Sequence, residues 1–142
     1  MKIQSLKKHI GFYIVLFFLV QSTNVTAKKP CCQKLILSYV EFNIMTPINI
    51  TCSEFDIAFG DSIKKKQITD RKKINNFIKL LNTLKKDNEI KSLDVRVKVE
   101  LIYKDYKKEI FMDKFCILIN GQIYMMNKNI LKFIEEIKQT TK

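Results

Sequence analysis

Residues 93–126 read LDVRVKVELIYKDYKKEIFMDKFCILINGQIYMM, and this stretch decides the fold. It begins with apolar and polar side chains in nearly strict alternation. Because successive side chains of a β-strand point to opposite faces, the alternation predicts a strand with one buried face and one solvent-facing side. The expected inward side chains are Leu93, Val95, Val97, Val99, Leu101 and Tyr103, and the outward ones include Asp94, Arg96, Lys98, Glu100, Ile102 and Lys104.

Two turns are predicted within the same stretch. A two-residue turn at 105–106 would set apolar residues opposite each other on the inner face and Lys98 opposite Asp113 on the outer face, a pairing of opposite charges. Asn120 and Gly121 form a strong type I′ turn signal, since both residue types tolerate positive φ. They predict a hairpin between FCILI and QIYMM.

Helical periodicity lies on both sides of this stretch. Apolar residues recur on one face of a helix expected over 70–86, for which Thr69 and Asp70 are candidate N-caps, and Asn127 is placed to cap a final helix. Further upstream, the pattern favours a helix of one to two turns at 53–60. Residues 35–45 and 48–53 are rich in strand-forming side chains and predict a hairpin.

These elements predict an α+β domain. It would have an antiparallel sheet of about five to seven strands, with two main helices packed on one face. The sequence shows no internal repeat and no linker rich in Pro, Gly or Ser, so residues 28–142 are expected to form one small domain.

The amino-terminal segment has the order of features found in secretory signals. Lysines near the start precede an apolar run over 10–20, and small or modest side chains lead up to Ala27. We expect residues 1–27 to be a cleaved signal peptide and the protein to be secreted or periplasmic. The alternative is a membrane anchor, but a helix needs about 20 apolar residues to cross a bilayer and this run has only about half of them. After cleavage, we do not expect the remaining chain to be an integral membrane protein.

The four cysteines leave several kinds of chemistry open. Their spacing does not match a zinc site or a redox C-x-x-C motif, and the adjacent pair follows a proline rather than a lipoprotein cleavage site. An exported protein can form disulfides, so we expect at least one bond from the adjacent pair to a distant cysteine. Buried free thiols, and metal or redox work, are the alternatives. The candidates are Cys31, Cys32, Cys52 and Cys116.

Catalytic signals are sparse. Cleavage would remove His9, the only histidine, so no catalytic residue based on a histidine triad is predicted. No metal site and no cofactor are expected either. The carboxylates of Glu54 with Asp56, or Glu135 with Glu136, are the remaining candidates for general acid–base work. An enzyme is therefore disfavoured, with a carboxylate-dependent hydrolase or glycan-processing enzyme as the alternative.

The chain carries a formal net charge of +12. A basic surface on an exported protein can meet an acidic protein, a glycan or an anionic envelope component, although it can also serve only for solubility. Nucleic acid is not an expected partner, because export and the lack of a stacking motif both argue against it. The oligomeric state is left open. Expected anion or partner contacts are Lys64, Lys65, Lys66, Lys72, Lys73, Lys79 and Lys86, and expected exposed apolar contacts are Ile102 and Phe111.

Export, few catalytic side chains and a basic surface together predict a class of function. We expect an exported, non-catalytic binding protein, with an inhibitor or an immunity protein as examples of the type. A structural component of the cell envelope is a further alternative.

Overall fold

The computed structural model describes residues 30–90 and 92–140. The predicted signal peptide lies outside these residues. The strands are β1 (Lys34–Tyr39), β2 (Lys64–Ile68), β3 (Val97–Ile102), β4 (Lys107–Met112), β5 (Cys116–Ile119) and β6 (Gln122–Met125). The α-helices are α1 (Phe55–Phe59), α2 (Arg71–Leu81) and α3 (Lys128–Gln139), and a 3-10 turn spans Gly60–Ser62.

The described strands form one antiparallel sheet in the order β2-β1-β3-β4-β5-β6. Strands β3 to β6 follow one another as a meander, whereas β1 inserts between β2 and β3. The predicted α+β class with an antiparallel sheet of five to seven strands is confirmed. Within the described residues, no helix is both long and apolar enough to cross a bilayer.

One hydrophobic cluster joins the two long helices to the sheet. Phe77 of α2 stacks on Phe133 of α3 with ring centroids 5.0 Å apart. Each large side chain buried here contributes about 1.5–3 kcal/mol relative to exposure. The packing of both helices on one common face stays a prediction. We call these residues the first cluster: Cys32, Leu35, Leu37, Tyr39, Ile74, Phe77, Val97, Val99, Leu101, Ile110, Met112, Ile117, Ile119, Ile130, Phe133, Ile134 and Ile137.

A second cluster covers part of the surface that the sequence predicted to face solvent. Phe111 alternates with Ile110 and Met112 of the first cluster, so its side chain points to the opposite face of β4. There it packs against a separate buried group. The second cluster comprises Val40, Ile50, Phe55, Phe59, Leu93, Val95 and Cys116, with Cys52, Ile63, Ile90, Phe111, Leu118 and Ile123 around it.

The local signals at the starts of the two long helices and at the β5–β6 turn are confirmed, whereas α2 ends at Leu81 and not near residue 86 as predicted. Asp70 caps α2 by accepting hydrogen bonds from the next helical amides, and Asn127 caps α3 by accepting from Ile130 N at 2.9 Å. Asn120 and Gly121 have φ of 50° and 76°, as a type I′ turn between β5 and β6 requires.

The predicted upstream hairpin is wrong. Residues 48–53 form no strand, and β1 pairs instead with β2 and β3. The side chain of Ile50 is buried in the second cluster, while that of Ile48 is 65% exposed. These isoleucines therefore belong to a covering segment and not to a sheet, and composition alone does not separate the two.

The predicted register of the β3–β4 hairpin is also wrong, by two residues. The turn spans four residues, with Tyr103 N donating to Tyr106 O at 2.9 Å and the two rings stacked 4.4 Å apart. Lys98 consequently lies opposite Phe111 and not opposite Asp113. A shift of two preserves which face each strand side chain occupies, so Val97, Val99 and Leu101 remain in the first cluster. Leu93 and Val95 precede β3 and are buried in the second cluster.

The two edge strands of the sheet, β6 and β2, differ in whether another segment pairs with them. The segment Lys85–Asp87 runs along β6, where Lys85 O accepts from Met125 N at 3.0 Å and Asp87 N donates to Ile123 O at 3.1 Å. The outer edge of β2 pairs with no other strand among the described residues. One edge is thus covered and the other is open.

Candidate functional site

Exposed apolar side chains gather at one end of the molecule. Ile44, Met45 and Phe115 line a single open depression of about 350 Å³, and they are 39%, 94% and 70% exposed. Ile48, in the same loop as Ile44 and Met45, is 65% exposed. We call these four residues the apolar end. Covering large apolar side chains that are this exposed is favourable, and Met and aromatic residues are enriched at protein interfaces.

A buried arginine holds the loop that carries most of the apolar end. Arg96 is 4% exposed, and its guanidinium forms a two-pronged ion pair with Asp94 at 2.6 and 2.7 Å. Its Nε donates to the carbonyl oxygen of Ile44 at 3.2 Å, and Nη2 donates to Thr46 Oγ1 at 2.8 Å. The remaining donor reaches Val95 O at 3.0 Å.

These contacts use all five N–H donors of the guanidinium. A buried cation is stable only when it is paired and hydrogen-bonded. The partners of Arg96 therefore hold its guanidinium in place, and the guanidinium in turn holds the loop residues that accept its hydrogen bonds. Phe59 adds an aromatic ring 5.3 Å from the guanidinium carbon. The 41–49 loop has no regular secondary structure, yet it has a defined position because of this buried charge.

A second buried cation anchors the start of the same loop. The side chain of Lys138 in α3 is 6% exposed and pairs with Glu135 at 2.9 Å and with Glu41 at 3.8 Å. Its Nζ lies 4.2 Å from the ring centroid of Phe42 and 5.2 Å from that of Tyr39. Attraction between a cation and an aromatic face is stronger when both are shielded from water. The loop is therefore attached to α3 at one point and to the segment just before β3 at another.

The turn between β4 and β5 presents Phe115. Asp113 Oδ1 accepts from the backbone N–H groups of Phe115 and Cys116, both at 2.6 Å. Its Oδ2 accepts from Asp94 N at 3.4 Å. An aspartate that bonds the amides two and three residues ahead stabilises a tight turn. The Phe115 ring is thus held outward by local backbone geometry.

Two carboxylates, those of Asp94 and Asp113, line the depression. A hydrolase would need two such groups free to act on a substrate, so their hydrogen-bond partners bear on the hydrolase alternative. Both oxygens of Asp94 bind Arg96, and Oδ1 also accepts from Ile50 N at 2.9 Å. Asp113 is occupied by backbone amides. These carboxylates serve as structural groups that hold the loop and the turn.

The predicted carboxylates also have structural partners. Asp56 pairs with Lys98 at 2.7 Å, and Glu135 pairs with Lys138. Glu54 accepts hydrogen bonds from the hydroxyl and the amide of Thr51, and these bonds lower the pKa of its carboxyl below the ordinary value. Glu136 lies 3.9 Å from Lys132.

The predicted disulfide is wrong, and all four cysteines are free thiols. Cys32 contacts the carbonyl of Ile102, whereas Cys116 lies beyond the Tyr39–Val97–Met112 row at the other end of the sheet. Tyr39 follows Cys32 by seven positions, which corresponds to roughly 23 Å in a strand. Bonded cysteines need Cα atoms within about 4.4–6.8 Å, so Cys32 and Cys116 lie too far apart for a disulfide.

The environments of the thiols make them poor nucleophiles. Burial raises the pKa of Cys116 to about 11, with Asp113 and Asp87 adding to the effect. Burial also raises the pKa of Cys32 and of Cys52. Since only the thiolate reacts readily, these side chains act as apolar packing groups at neutral pH. The side chain of Cys31 is exposed. Among the described residues no group of three or more His, Cys, Asp or Glu side chains could hold a metal.

The predicted cationic contacts do not form one patch. The open edge of the sheet carries Lys64, Lys65 and Lys66 in β2. Lys86 lies at the covered edge, where its backbone pairs with that of Tyr124 in a β-bridge. The remaining three are exposed on the helix between these edges: Lys72, Lys73 and Lys79. Within the sequence set, Lys66 of β2 and Lys73 of α2 line one depression, whereas Lys86 lies at the opposite edge of the sheet.

The predicted exposed apolar contacts are half-buried. Ile102 ends β3, and Phe111 packs on the second cluster while also lining an open depression of about 460 Å³ with Leu118. The sequence did not predict the apolar end, and it predicted that Arg96, which anchors the loop there, would face solvent. One signal was present: Asp94 and Arg96 share a strand face two residues apart, as an ion pair requires.

No protein-family model, no curated protein and no solved structure matches this chain.

Proposed function

We propose that this chain is an exported, non-catalytic binding protein that docks a protein partner at its apolar end. The observation that carries the proposal is the set of exposed Ile44, Met45 and Phe115 side chains around one depression. The export part rests on the signal-like sequence of residues 1–27.

The fixed position of the loop supports binding. A partner loses less free energy when the surface it meets is already ordered, because few side chains and little backbone must be immobilised. Arg96 and Lys138 provide that order before any partner arrives. Apolar anchors in the centre of a contact contribute most of the affinity of typical protein interfaces. This favours a protein over a glycan as the partner of this surface.

Affinity capture from the native exported fraction tests the proposal. The bait proteins are the wild type, the double variant Met45→Ser/Phe115→Ser and the control Ile57→Ser. Ile57 is 85% exposed on α1 and does not line the depression, so it matches the targets in exposure but not in place. We expect one set of partners with the wild type and the control, and its loss with the double variant. Capture that survives the double change would overturn the proposal.

Mass spectrometry of the exported material tests its location. We expect a chain that begins at Lys28, because cleavage is predicted after Ala27. Intact residues 1–27 in membrane fractions would instead favour an anchored envelope component.

A further inference from the structure

The open edge of the sheet is the strongest unassigned feature of the molecule. β2 reads KKKQI and uses one side for its pairing with β1. Its other side presents backbone N–H and C=O groups that no other strand among the described residues uses. Unpaired edges are templates for an added strand, and proteins usually cover them or place charges on them. This chain covers its β6 edge with 85–87 and leaves β2 open.

Positive charge occurs on both faces of that edge. Lys64 and Lys66 pair with Tyr39 and Leu37 of the first cluster, so their side chains lie on the face of the sheet that carries this cluster. Lys65 lies on the opposite face, opposite Ser38. An incoming strand would place its own alternating side chains on these same two faces.

A small depression adjoins the edge on the helix side. Its volume is about 210 Å³, and Ile68 and Ile137 provide its apolar part. Lys66 and Lys73 provide its positive charge, and Lys66 Nζ also donates to Thr140 O at 2.7 Å. Asp70 is the one acidic side chain there, and it is already engaged as the N-cap of α2. The depression suits a side chain that is acidic at its tip and apolar along its stem.

We propose that β2 accepts an acidic, extended segment of a partner protein as an additional antiparallel or parallel strand. Main-chain hydrogen bonds along the edge would provide affinity, and acidic side chains facing Lys65 and Lys66 would provide selectivity. Lys64 already pairs with Glu41 at 3.2 Å. This surface is distinct from the apolar end and rests on different residues.

Two other occupants fit less well. A second copy pairing through β2 would set the lysines of one chain against those of the other, and like charges across strands repel. Residues 1–29 of this chain contain no Asp or Glu, so they offer no complementary charge. The edge therefore selects an acidic segment from another protein.

Peptide binding to the purified exported chain tests the proposal. The probe is a fluorescent peptide in which Glu alternates with Val and Thr, and its control replaces every Glu with Gln. We expect the Glu peptide to bind, to weaken as salt is raised, and to protect the amides of Lys64–Ile68 from hydrogen exchange. The Gln peptide should bind at least several-fold more weakly.

Charge reversal locates the site. Lys65→Glu/Lys66→Glu should weaken peptide binding by about tenfold, since attraction becomes repulsion at two cross-strand positions. The matched control is Lys72→Glu/Lys79→Glu, which changes net charge equally on exposed positions of α2. Circular dichroism verifies that each variant is folded.

Several outcomes would overturn the proposal. Equal loss of binding in both double variants would indicate a general charge effect, and binding without protection of 64–68 would exclude strand addition. Absence of binding would mean that the lysines only keep the edge from pairing. Met45→Ser/Phe115→Ser should bind the peptide normally, so failure at the apolar end and failure at β2 give different results.

Discussion

Replacing Arg96 with methionine tests whether the buried guanidinium fixes the 41–49 loop. Methionine keeps an unbranched side chain but removes the charge and all five donors. The change leaves Asp94 without its counter-ion, and it leaves Ile44 O and Thr46 Oγ1 without the guanidinium donors that hold them. The loop should lose its attachment to the segment before β3 while Lys138 still holds its beginning.

The expected loss of stability can be derived from the geometry. Removing one partner of a buried ion pair costs about 3–5 kcal/mol. The side chain of Asp94 is 34% exposed, so water can solvate the remaining carboxylate and the lower end applies, about 3 kcal/mol. The entropy of unfolding is about 2.1 cal/mol/K per residue, which gives about 0.24 kcal/mol/K for the predicted domain of residues 28–142. The Tm should therefore fall by about 12 °C.

Urea and thermal denaturation measure the stability, and hydrogen exchange of 41–49 measures the loop. The control is Lys107→Met, because Lys107 is 56% exposed and pairs with Glu100 and Glu109 on the surface. Such pairs contribute about 0–1 kcal/mol. If Arg96→Met costs no more than the control, or if exchange in the loop is unchanged, the guanidinium does not hold the loop.

Three further predictions concern single positions. Gly121→Ala should lower the free energy of unfolding by about 1–2 kcal/mol, because φ is 76° and an added Cβ meets no atom, so the cost is that of the backbone alone; urea denaturation measures it. Asn127→Ala should cost about 1 kcal/mol through loss of the α3 cap, in the same assay. Cys116 has a folded pKa of about 11, above its ordinary 9.0, so the unfolded thiol loses its proton first and stability should decline between about pH 9 and 11. Cys116→Ala should reduce this decline and leave the part that the buried thiols of Cys32 and Cys52 contribute, so an unchanged profile would contradict the assignment.

The sequence predicted those parts of the fold that depend on neighbouring residues. Strict alternation predicted β3, and Asn120-Gly121 predicted the β5–β6 hairpin, because both signals act over a few residues. The caps at Asp70 and Asn127 are equally local. Pairing of β1 with β2 and β3 depends on residues far apart in the chain, and the pattern of β1 does not specify its partners.

The candidate site was harder to predict for a related reason. Arg96 follows the polar phase of an alternating strand, which ordinarily means solvent. It is buried because the 41–49 loop folds over it, and that loop had been assigned in part to a hairpin. The predicted disulfide failed in the same way, since a compartment permits a bond but only the fold brings two cysteines within reach.

The central position of β1 has a consequence for how the chain folds. Strands β3 to β6 can pair as successive hairpins, with loop closures of only a few residues. β1 must wait for β3, because Leu35 lies opposite Leu101 and the intervening segment must be closed first. Long-range closures of this kind slow folding and leave apolar strands unpaired in the meantime. During synthesis β1 is made first, but its pairing on both sides can be complete only after β2 and β3 have been made.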